Sequence, residues 1–432
     1  MSRIFVVDAQ RNPLMPCTPA RARLLLKAGK AAILRRAPLV LILKERRPEA
    51  VVQPLRVKLD PGASTSGIAV VNDRSGEVVW AAEVTHRGRE IREALTRRRA
   101  VRRQRRRRQR RYRPKRFANR RRPLGWLAPS LLSRVLNLLT WVARLRSFCP
   151  IEALSQELAR FDTQAMQDPT IAGIQYQQGS LAGYEIRSYL LEKWQRRCAY
   201  CQQPSTKLQV EHLIPKSRGG SDRISNVVLA CEICNIAKGD RTAEEFGFVQ
   251  LMAQAKVPLA SAAVMNATRW RLYQELQAIG LPVEVDTGGR TGYNRAIRQL
   301  PKQHWIDAAL VGTSTPEQLQ LQHVRPWQIT ATGWQRRQMC LVDGAGFPRT
   351  RAKQRSLVKG FRTGDLVVGV VKSGTKQGIY KGRVAVRASG SFNITTDKVT
   401  IQGINHRWCR VLQRRDGYAY QQREEAAFPP TP

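Results

Sequence analysis

Four cysteines fall into two tight pairs, Cys198-x-x-Cys201 and Cys231-x-x-Cys234, with about thirty residues between them. In a reducing compartment such pairs predict a four-cysteine zinc site, because thiolates from two tight turns supply tetrahedral geometry. Four protein ligands leave no open position, so the zinc would be structural rather than catalytic. Cys17, Cys149, Cys340 and Cys409 show no such spacing and read as ordinary buried thiols. Within and just after the segment that the pairs enclose lie "VEHLIPKSRGG" and "ISNVVLACEICN", which carry Glu211, His212, Asn226 and Asn235. A lone histidine on a strand is ordinarily a packed or surface residue. Here its neighbours change the reading. A neutral imidazole can take a proton from water, while a carboxylate and an amide oxygen hold one Mg2+ against a scissile phosphate. A second set is dispersed. Asp60 follows "LRVKL" and precedes "PGASTSGIAVV", Glu157 lies in "LSQELARFDT", where Asp162 and the upstream Glu152 are alternative acids, and His304 and Asp307 stand at i and i+3 on one helix face. Singly, each of these would pass as a surface or capping residue.

Composition narrows the partners of any such chemistry. The 432 residues carry 75 Lys and Arg against 32 Asp and Glu, a formal charge of +43. Polyphosphate is the usual partner of such an excess, so nucleic acid is the expected ligand. An anionic membrane is the alternative, but no apolar run approaches the roughly 18 residues of a spanning helix. The start, "MSRIFVVDAQRNPLMP", lacks the apolar core of a signal peptide, and the expected setting is a prokaryotic cytosol or nucleoid.

The elements that must position these residues can be read along the chain. Thr18 as N-cap, Pro19 at the first helical position and Gly29 beyond the last turn predict a helix over about 19–28, flanked by strands from "RIFVVDA" and "PLVLILK". Next, "LRVKLDPGASTSGIAVVNDRSGEVVWAAEV" reads as three strands of an antiparallel meander, with Asp60 ending the first. Arg87 to Arg122 carries about twenty basic residues and only Glu90 and Glu93 as acids. A disordered basic tail is one reading of it. Foldable sequence on both sides favours a helix of about 20 residues that grips a phosphate backbone. Its candidate contacts are Arg97, Arg98, Arg99, Arg102, Arg103, Arg105, Arg106, Arg107, Arg108, Arg110 and Arg111. An amphipathic helix in "SLLSRVLNLLTWVARLRSF", a strand containing Glu157 and a Gln/Gly-rich connector follow. "YEIRSYLLEKWQRRCAYC" reads as a helix running into the first cysteine pair, the next block as hairpin then helix, and "AAVMNATRWRLYQELQAIG" as helix. From about 321 onward, short β-like runs between Gly and basic loops suggest a small barrel or twisted sheet.

The block around His212 resembles the HNH nuclease family, in its subclass with Asn at the third position. That resemblance implies His212 as general base, Glu211 and Asn235 as ligands of one Mg2+, and Asn226 as orienting His212 or its backbone. The dispersed set resembles the RuvC nuclease, an RNase H-like fold with two Mg2+ about 4 Å apart. It implies Asp60, Glu157 and Asp307 as ligands and His304 as assisting the attacking water. RuvC-like segments at 51–86, 145–165 and 295–315, split by the arginine-rich helix and the HNH block, follow the order of type II CRISPR effectors. The chain has no room for their large guide-recognition lobe. With "NPLMP" at residues 12–16 and "LPKQHWIDAA", the whole resembles the compact IscB family of transposon-associated RNA-guided nucleases.

The implied fold class is α/β multidomain: a split RNase H-like (RuvC) fold with an inserted ββα-metal HNH domain, an arginine-rich bridge helix and a small β-rich C-terminal domain. The implied divisions are an N-terminal PLMP domain at 1–50, RuvC segment I at 51–86, bridge helix at 87–122, RuvC segment II and connector at 123–183, HNH domain at 184–250, RuvC segment III at 251–320 and a C-terminal guide-RNA and adjacent-motif region at 321–432. The implied partners are a long structured guide RNA (omega RNA) and double-stranded DNA bearing an adjacent motif, in a monomeric ribonucleoprotein without a membrane. Two rival readings stand beside this one. An unguided HNH endonuclease of homing or restriction type would leave Asp60, His304 and Asp307 idle, and an RNA-packaging protein would account for the charge alone.

Overall fold

The structure is a computed structural model and describes residues 3–107, 126–158, 190–191, 193–204, 207–220, 225–256, 260–333, 343–344, 347–351, 356–396 and 399–422. Arg108, Arg110, Arg111, Cys340, the connector with Asp162, and most of the helix expected before Cys198 lie outside the described residues, as do the side chains of Arg105 and Arg106. Of the other three thiols expected to be buried, only Cys149 is fully so, Cys17 and Cys409 being half-buried.

In chain order the elements are β1 Ile4–Val7, β2 Pro13–Cys17, α1 Pro19–Lys27, β3 Ala31–Arg35, β4 Val40–Leu43, β5 Leu55–Asp60, β6 Thr65–Val71, β7 Val78–Thr85, α2 Gly88–Arg107, α3 Pro129–Phe148 and β8 Ile151–Glu157. Then come β9 Leu208–His212, β10 Val227–Cys231, α4 Glu232–Lys238, α5 Val249–Lys256, α6 Ala260–Gln277, β11 Val283–Asp286, α7 Gly288–Ile297 and α8 His304–Ala309. The chain closes with β12 Trp327–Ala331, β13 Leu357–Val358, β14 Phe361–Arg362, β15 Leu366–Val371, β16 Gly378–Ala385, β17 Ser391–Thr395, β18 Thr400–Asn405, β19 Cys409–Gln413 and β20 Tyr418–Gln422. This is a mixed α/β chain with several sheets, divided into two compact units.

The first unit comprises Met1–Val57, Ser64–Ala153 and Pro316–Pro432. Its N-terminal sheet runs β2-β1-β4-β3. Thr18 caps α1 as expected, its Oγ1 accepting from Arg21 N at 3.3 Å. A larger sheet contributes β6-β7-β12-β20, in that order, to this unit, and β5 and β8 begin here. β6 and β7 pair antiparallel and β7 pairs in parallel with β12. Bulky rings fill the core, with Phe5, Trp80, Trp141 and Tyr418 linked at centroid separations of 5.6 to 6.1 Å. The region after 321 divides where a single barrel or twisted sheet was expected. β15 to β19 form a five-stranded antiparallel sheet of order β18-β17-β16-β15-β19, whereas β12 and β20 pair with each other and extend the larger sheet. Burial explains the split: Ile329, Ala331 and Tyr418 pack inward, and Trp141 meets Tyr418 edge-on.

The helix α2 also belongs to this unit. Ile91, Ala94, Leu95 and Val101 are its half-buried positions, a 3–4 spacing that lays one narrow stripe against α3. Arg97, Arg98, Arg99, Arg102, Arg103 and Arg107 are all exposed.

Lys58–Ala63 and Leu154–Thr315 make up the second unit. The ends of β5 and β8 lie here, and β11 pairs in parallel with β8, setting Glu284 opposite Ser155 and Asp286 opposite Glu157. β11 and α7 were not anticipated from the sequence, because four residues of strand and a helix opening on Gly288-Gly289 carry little periodic pattern. A separate core in this unit gathers Cys198, Tyr200, Leu208, Leu213, Val227 to Ala230 and Ala243 around the hairpin β9–β10. Among the described residues, no helix is long and apolar enough to cross a membrane.

Candidate nuclease centres

The hairpin β9–β10 pairs His212 with Val227 and Glu211 with Val228, and α4 follows without a break. Glu211 therefore faces the helix that carries Asn235 and Lys238. Lys238, wholly buried, donates to Glu211 Oε1 at 2.7 Å. Asn235 Nδ2 donates to Gln209 Oε1 at 2.6 Å, which fixes the amide with its Oδ1 as the acceptor end. Asn226 clamps the chain just beyond His212: its Oδ1 accepts from Ile214 N at 2.9 Å and its Nδ2 donates to Ile214 O at 3.0 Å. These bonds reach the backbone of Ile214, two residues beyond His212. Gly220 allows the loop to close, since a Cβ there would meet Ile214 O at 1.8 Å. Glu211 and Asn235 offer a carboxylate and an amide oxygen, hard donors that suit Mg2+.

The four cysteines come together as the spacing predicts. One sulfur from each of Cys198, Cys201, Cys231 and Cys234 lies within 4.8 Å of the others. A tetrahedron with Zn–S of about 2.3 Å has edges of about 3.8 Å. The Cys201–Cys231 separation is 3.9 Å, so the donor set fits a thiolate-bound ion. Burial opposes ionisation of Cys198, but backbone hydrogen bonds at Cys231, Cys201 and Tyr200 overcome it and bring the thiol down to about 7. Burial and the neighbouring thiols push Cys234 up. One thiolate thus resists a second until a cation joins them.

The dispersed set also converges, inside the second unit. Asp60 ends β5, Glu157 ends β8, and His304 and Asp307 sit on the first turn of α8. His304 Nδ1 lies 3.1 Å from Asp60 Oδ2, across 244 residues of sequence. Asp60, Glu157 and Asp307 are each under a tenth exposed. Burial together with the charges of Asp60 and Asp307 pushes the Glu157 carboxyl up to about 7, against the pull of Arg269. Burial and Asp60 likewise raise Asp307, against Arg295. Arg269 Nη2 donates to Glu157 Oε1 at 3.0 Å, and Arg295 pairs with Asp307. Three buried carboxylates that repel one another in spite of two arginines make a site with remaining demand for positive charge. Its oxygen donors suit Mg2+ rather than a soft ion. Among the described residues the cysteine cluster alone packs three or more such ligand atoms within 4.8 Å. Asp60, Glu157 and Asp307 are not packed as closely as that.

Sequence reasoning passed over Arg269, Arg295 and Lys238. Lys238 was detectable, standing three residues after Asn235 and so on the same helix face. Arg269 carried one weak cue, as the first charged residue of an otherwise uncharged helix start in "ASAAVMNATRW".

Two families of known proteins match the chain: RRXRR protein over residues 4–179 and HNH endonuclease over residues 198–250. No curated protein matches it. Similar solved structures include Streptococcus thermophilus Cas9 in complex with the AGAA PAM, 14% identical over 60% of this chain and 32% of that one, with a TM-score of 0.24. Another is the type II-C Cas9 enzyme from Actinomyces naeslundii, 14% identical over 68% of this chain and 44% of that one, with a TM-score of 0.18. The chain thus spans less than half the length of either. The two family matches support an IscB/Cas9-like nuclease whose HNH endonuclease domain occupies 198–250.

Proposed function

We propose that the chain is an RNA-guided double-strand DNA endonuclease of the IscB type, with a split RuvC-like centre and an inserted HNH centre. The convergence of Asp60, Glu157, His304 and Asp307 from distant segments, beside a separate Glu211–His212 hairpin, carries this reading. An unguided HNH enzyme has no use for the first group. When bound, Mg2+ polarises the scissile phosphate and stabilises the leaving oxygen at each centre, two ions serving the RuvC-like site and one the HNH site. In the HNH centre Glu211 and Asn235 hold the ion, His212 accepts the proton of the attacking water at an imidazole nitrogen, and Asn226 keeps the backbone beyond it in place. In the other centre Asp60, Glu157 and Asp307 are the ligands, and His304, braced on Asp60, orients the water.

The exposed arginines of α2 would bind the guide RNA by its phosphates, and the excess of positive charge would hold an RNA that does the work of a protein recognition lobe. Guide pairing then selects the target, and the region after 321 reads a short adjacent motif on the duplex. The HNH centre cuts the strand paired to the guide, and the RuvC-like centre cuts the displaced strand. The setting is the prokaryotic cytosol or nucleoid, the assembly is a monomeric ribonucleoprotein, and the seven divisions from the N-terminal module to the C-terminal region keep the roles expected of them. The test is to purify the protein from its host, sequence the bound nucleic acid and add a matched duplex. One discrete structured RNA and RNA-dependent cutting are expected. DNA without RNA, or cutting that proceeds equally without RNA, would replace this reading with the unguided one.

A further inference from the structure

Arg269 is 3% exposed and makes two bonds with one guanidinium. Its Nε donates to Pro61 O at 3.0 Å, the carbonyl next to Asp60, and its Nη2 donates to Glu157 Oε1 at 3.0 Å. The residue is held in turn, because Gln156 Nε2 donates to Arg269 O at 2.9 Å. Glu157 is closed in on the same side by Gly288, where an added Cβ would stand 3.1 Å from Oε1. A guanidinium is a rigid plane, so bonds from two of its nitrogens fix the separation of the groups they reach. Here those groups are the turn after β5 and the side chain at the end of β8, and each adjoins or is a carboxylate that must sit within about 0.5 Å of its working position.

We propose that Arg269 is a positioning residue of the RuvC-like centre, a fork that sets the spacing of Asp60 and Glu157 for metal binding. The proposal rests on the nuclease reading above. Lysine would keep the charge and lose the fork, reaching one of the two groups at a time. Removing a group that orients metal ligands typically weakens metal affinity or activity by about 10–100-fold.

The test compares Arg269→Lys and Arg269→Ala with the unsubstituted full chain loaded with its guide RNA, following each nick on a strand-labelled target as Mg2+ is varied. For Arg269→Lys, half-saturating Mg2+ for the displaced-strand nick should rise about 10-fold, with much of the rate recovered at high Mg2+. The guide-paired nick should not change. Hydrogen–deuterium exchange of the full chain without added metal gives a readout apart from activity, with peptides covering 58–64 and 154–158 exchanging faster in Arg269→Lys. An unchanged Mg2+ dependence with unchanged exchange overturns the proposal. So does a loss of rate that excess Mg2+ leaves as it was, since that marks general destabilisation. Asp60→Ala run in parallel separates the two levels. If it abolishes the displaced-strand nick while Arg269→Lys behaves as the unsubstituted chain, the positioning role alone fails. If it spares that nick, the nuclease assignment fails and takes the proposal with it.

Discussion

The two candidate centres are built in opposite ways. Between Cys198 and Lys238 the chain supplies a hairpin, a helix and every candidate side chain of the HNH centre, so short loops bring the groups together at small entropic cost. So small a core is short of apolar burial, and the four cysteines offer a metal staple in its place. The dispersed centre draws on the ends of two strands and one short helix, with Asp60 and His304 lying 244 residues apart. A buried ion pair from Arg269 and a partly buried one from Arg295 hold it instead of a staple. The charge balance differs too. One carboxylate meets one buried lysine in the HNH centre, whereas three mutually repelling carboxylates meet two arginines in the other. A local centre should therefore fail as a unit when its staple goes, and a dispersed one by degrees as remote supports are removed.

The largest expected effect breaks the local centre alone. Structural zinc sites contribute on the order of 10 kcal/mol of apparent binding energy, more than a module of this size holds in reserve. Cys201→Ser, or chelation followed by return of Mg2+ only, should unfold residues 198–250 and abolish the guide-paired nick while the displaced-strand nick persists. Zinc analysis of the gently purified chain should find about one ion per molecule. Next in size is the reciprocal pair of catalytic substitutions. Asp60→Ala should leave only the guide-paired nick and His212→Ala only the displaced-strand nick, each loss being on the order of 10²–10⁴ in rate on a strand-labelled target. If His212→Ala stops both cuts, the two centres are not independent and the comparison collapses.

The same contrast governs how much could be read in the sequence. In the HNH block the four cysteines were legible from their short, fixed spacings, and they meet as those spacings require. The places of Asp60 at the end of a strand and of His304 and Asp307 on one helix were legible from a strand–turn–strand pattern and a helical i, i+3 spacing. What no local pattern could supply was their counter-charges. Arg269 meets Glu157 across 112 residues, and nothing near either one announces the other. The strand β11 was missed for a related reason: four residues beside β8 become a strand through pairing, not through their own periodicity. Likewise, β20 reads as one more short strand of a C-terminal sheet, and only its pairing with β12 assigns it to the larger one.

A smaller effect sharpens the local side. Asn226 satisfies both the N–H and the C=O of Ile214, and its removal leaves half-buried backbone groups short of partners at a cost of about 1 kcal/mol. Asn226→Ala should lower the melting temperature of the HNH module and slow the guide-paired nick, with the displaced-strand nick as unchanged internal control.

The smallest expected effect tests the dispersed side through a residue outside the candidate ligand set. Glu284 on β11 accepts from Ser155 Oγ at 2.6 Å, Thr313 Oγ1 at 2.9 Å and Ser314 N at 2.9 Å, which ties β8 to the loop that leaves α8. Burial alone would raise its carboxyl, but these hydrogen bonds overcome it and hold Glu284 at about 2, below its ordinary 4.5. A carboxyl depressed on folding binds its proton less readily in the native state, so its stabilisation is complete above about pH 4.5 and is lost as pH falls through about 2. The nominal size of about 3 kcal/mol shrinks to about 1–2 kcal/mol once solvent screening of a half-exposed group is allowed for. Glu284→Gln should therefore destabilise the chain by about that amount at pH 7, and unfolding curves of the two proteins should draw together as pH falls from 4.5 toward 2. At neutral pH the displaced-strand nick should slow a few-fold while the guide-paired nick holds its rate. A pH-independent gap between the curves would remove the charge from this account, and equal slowing of both nicks would show that β11 supports the whole unit, leaving the two centres less separable than their construction implies.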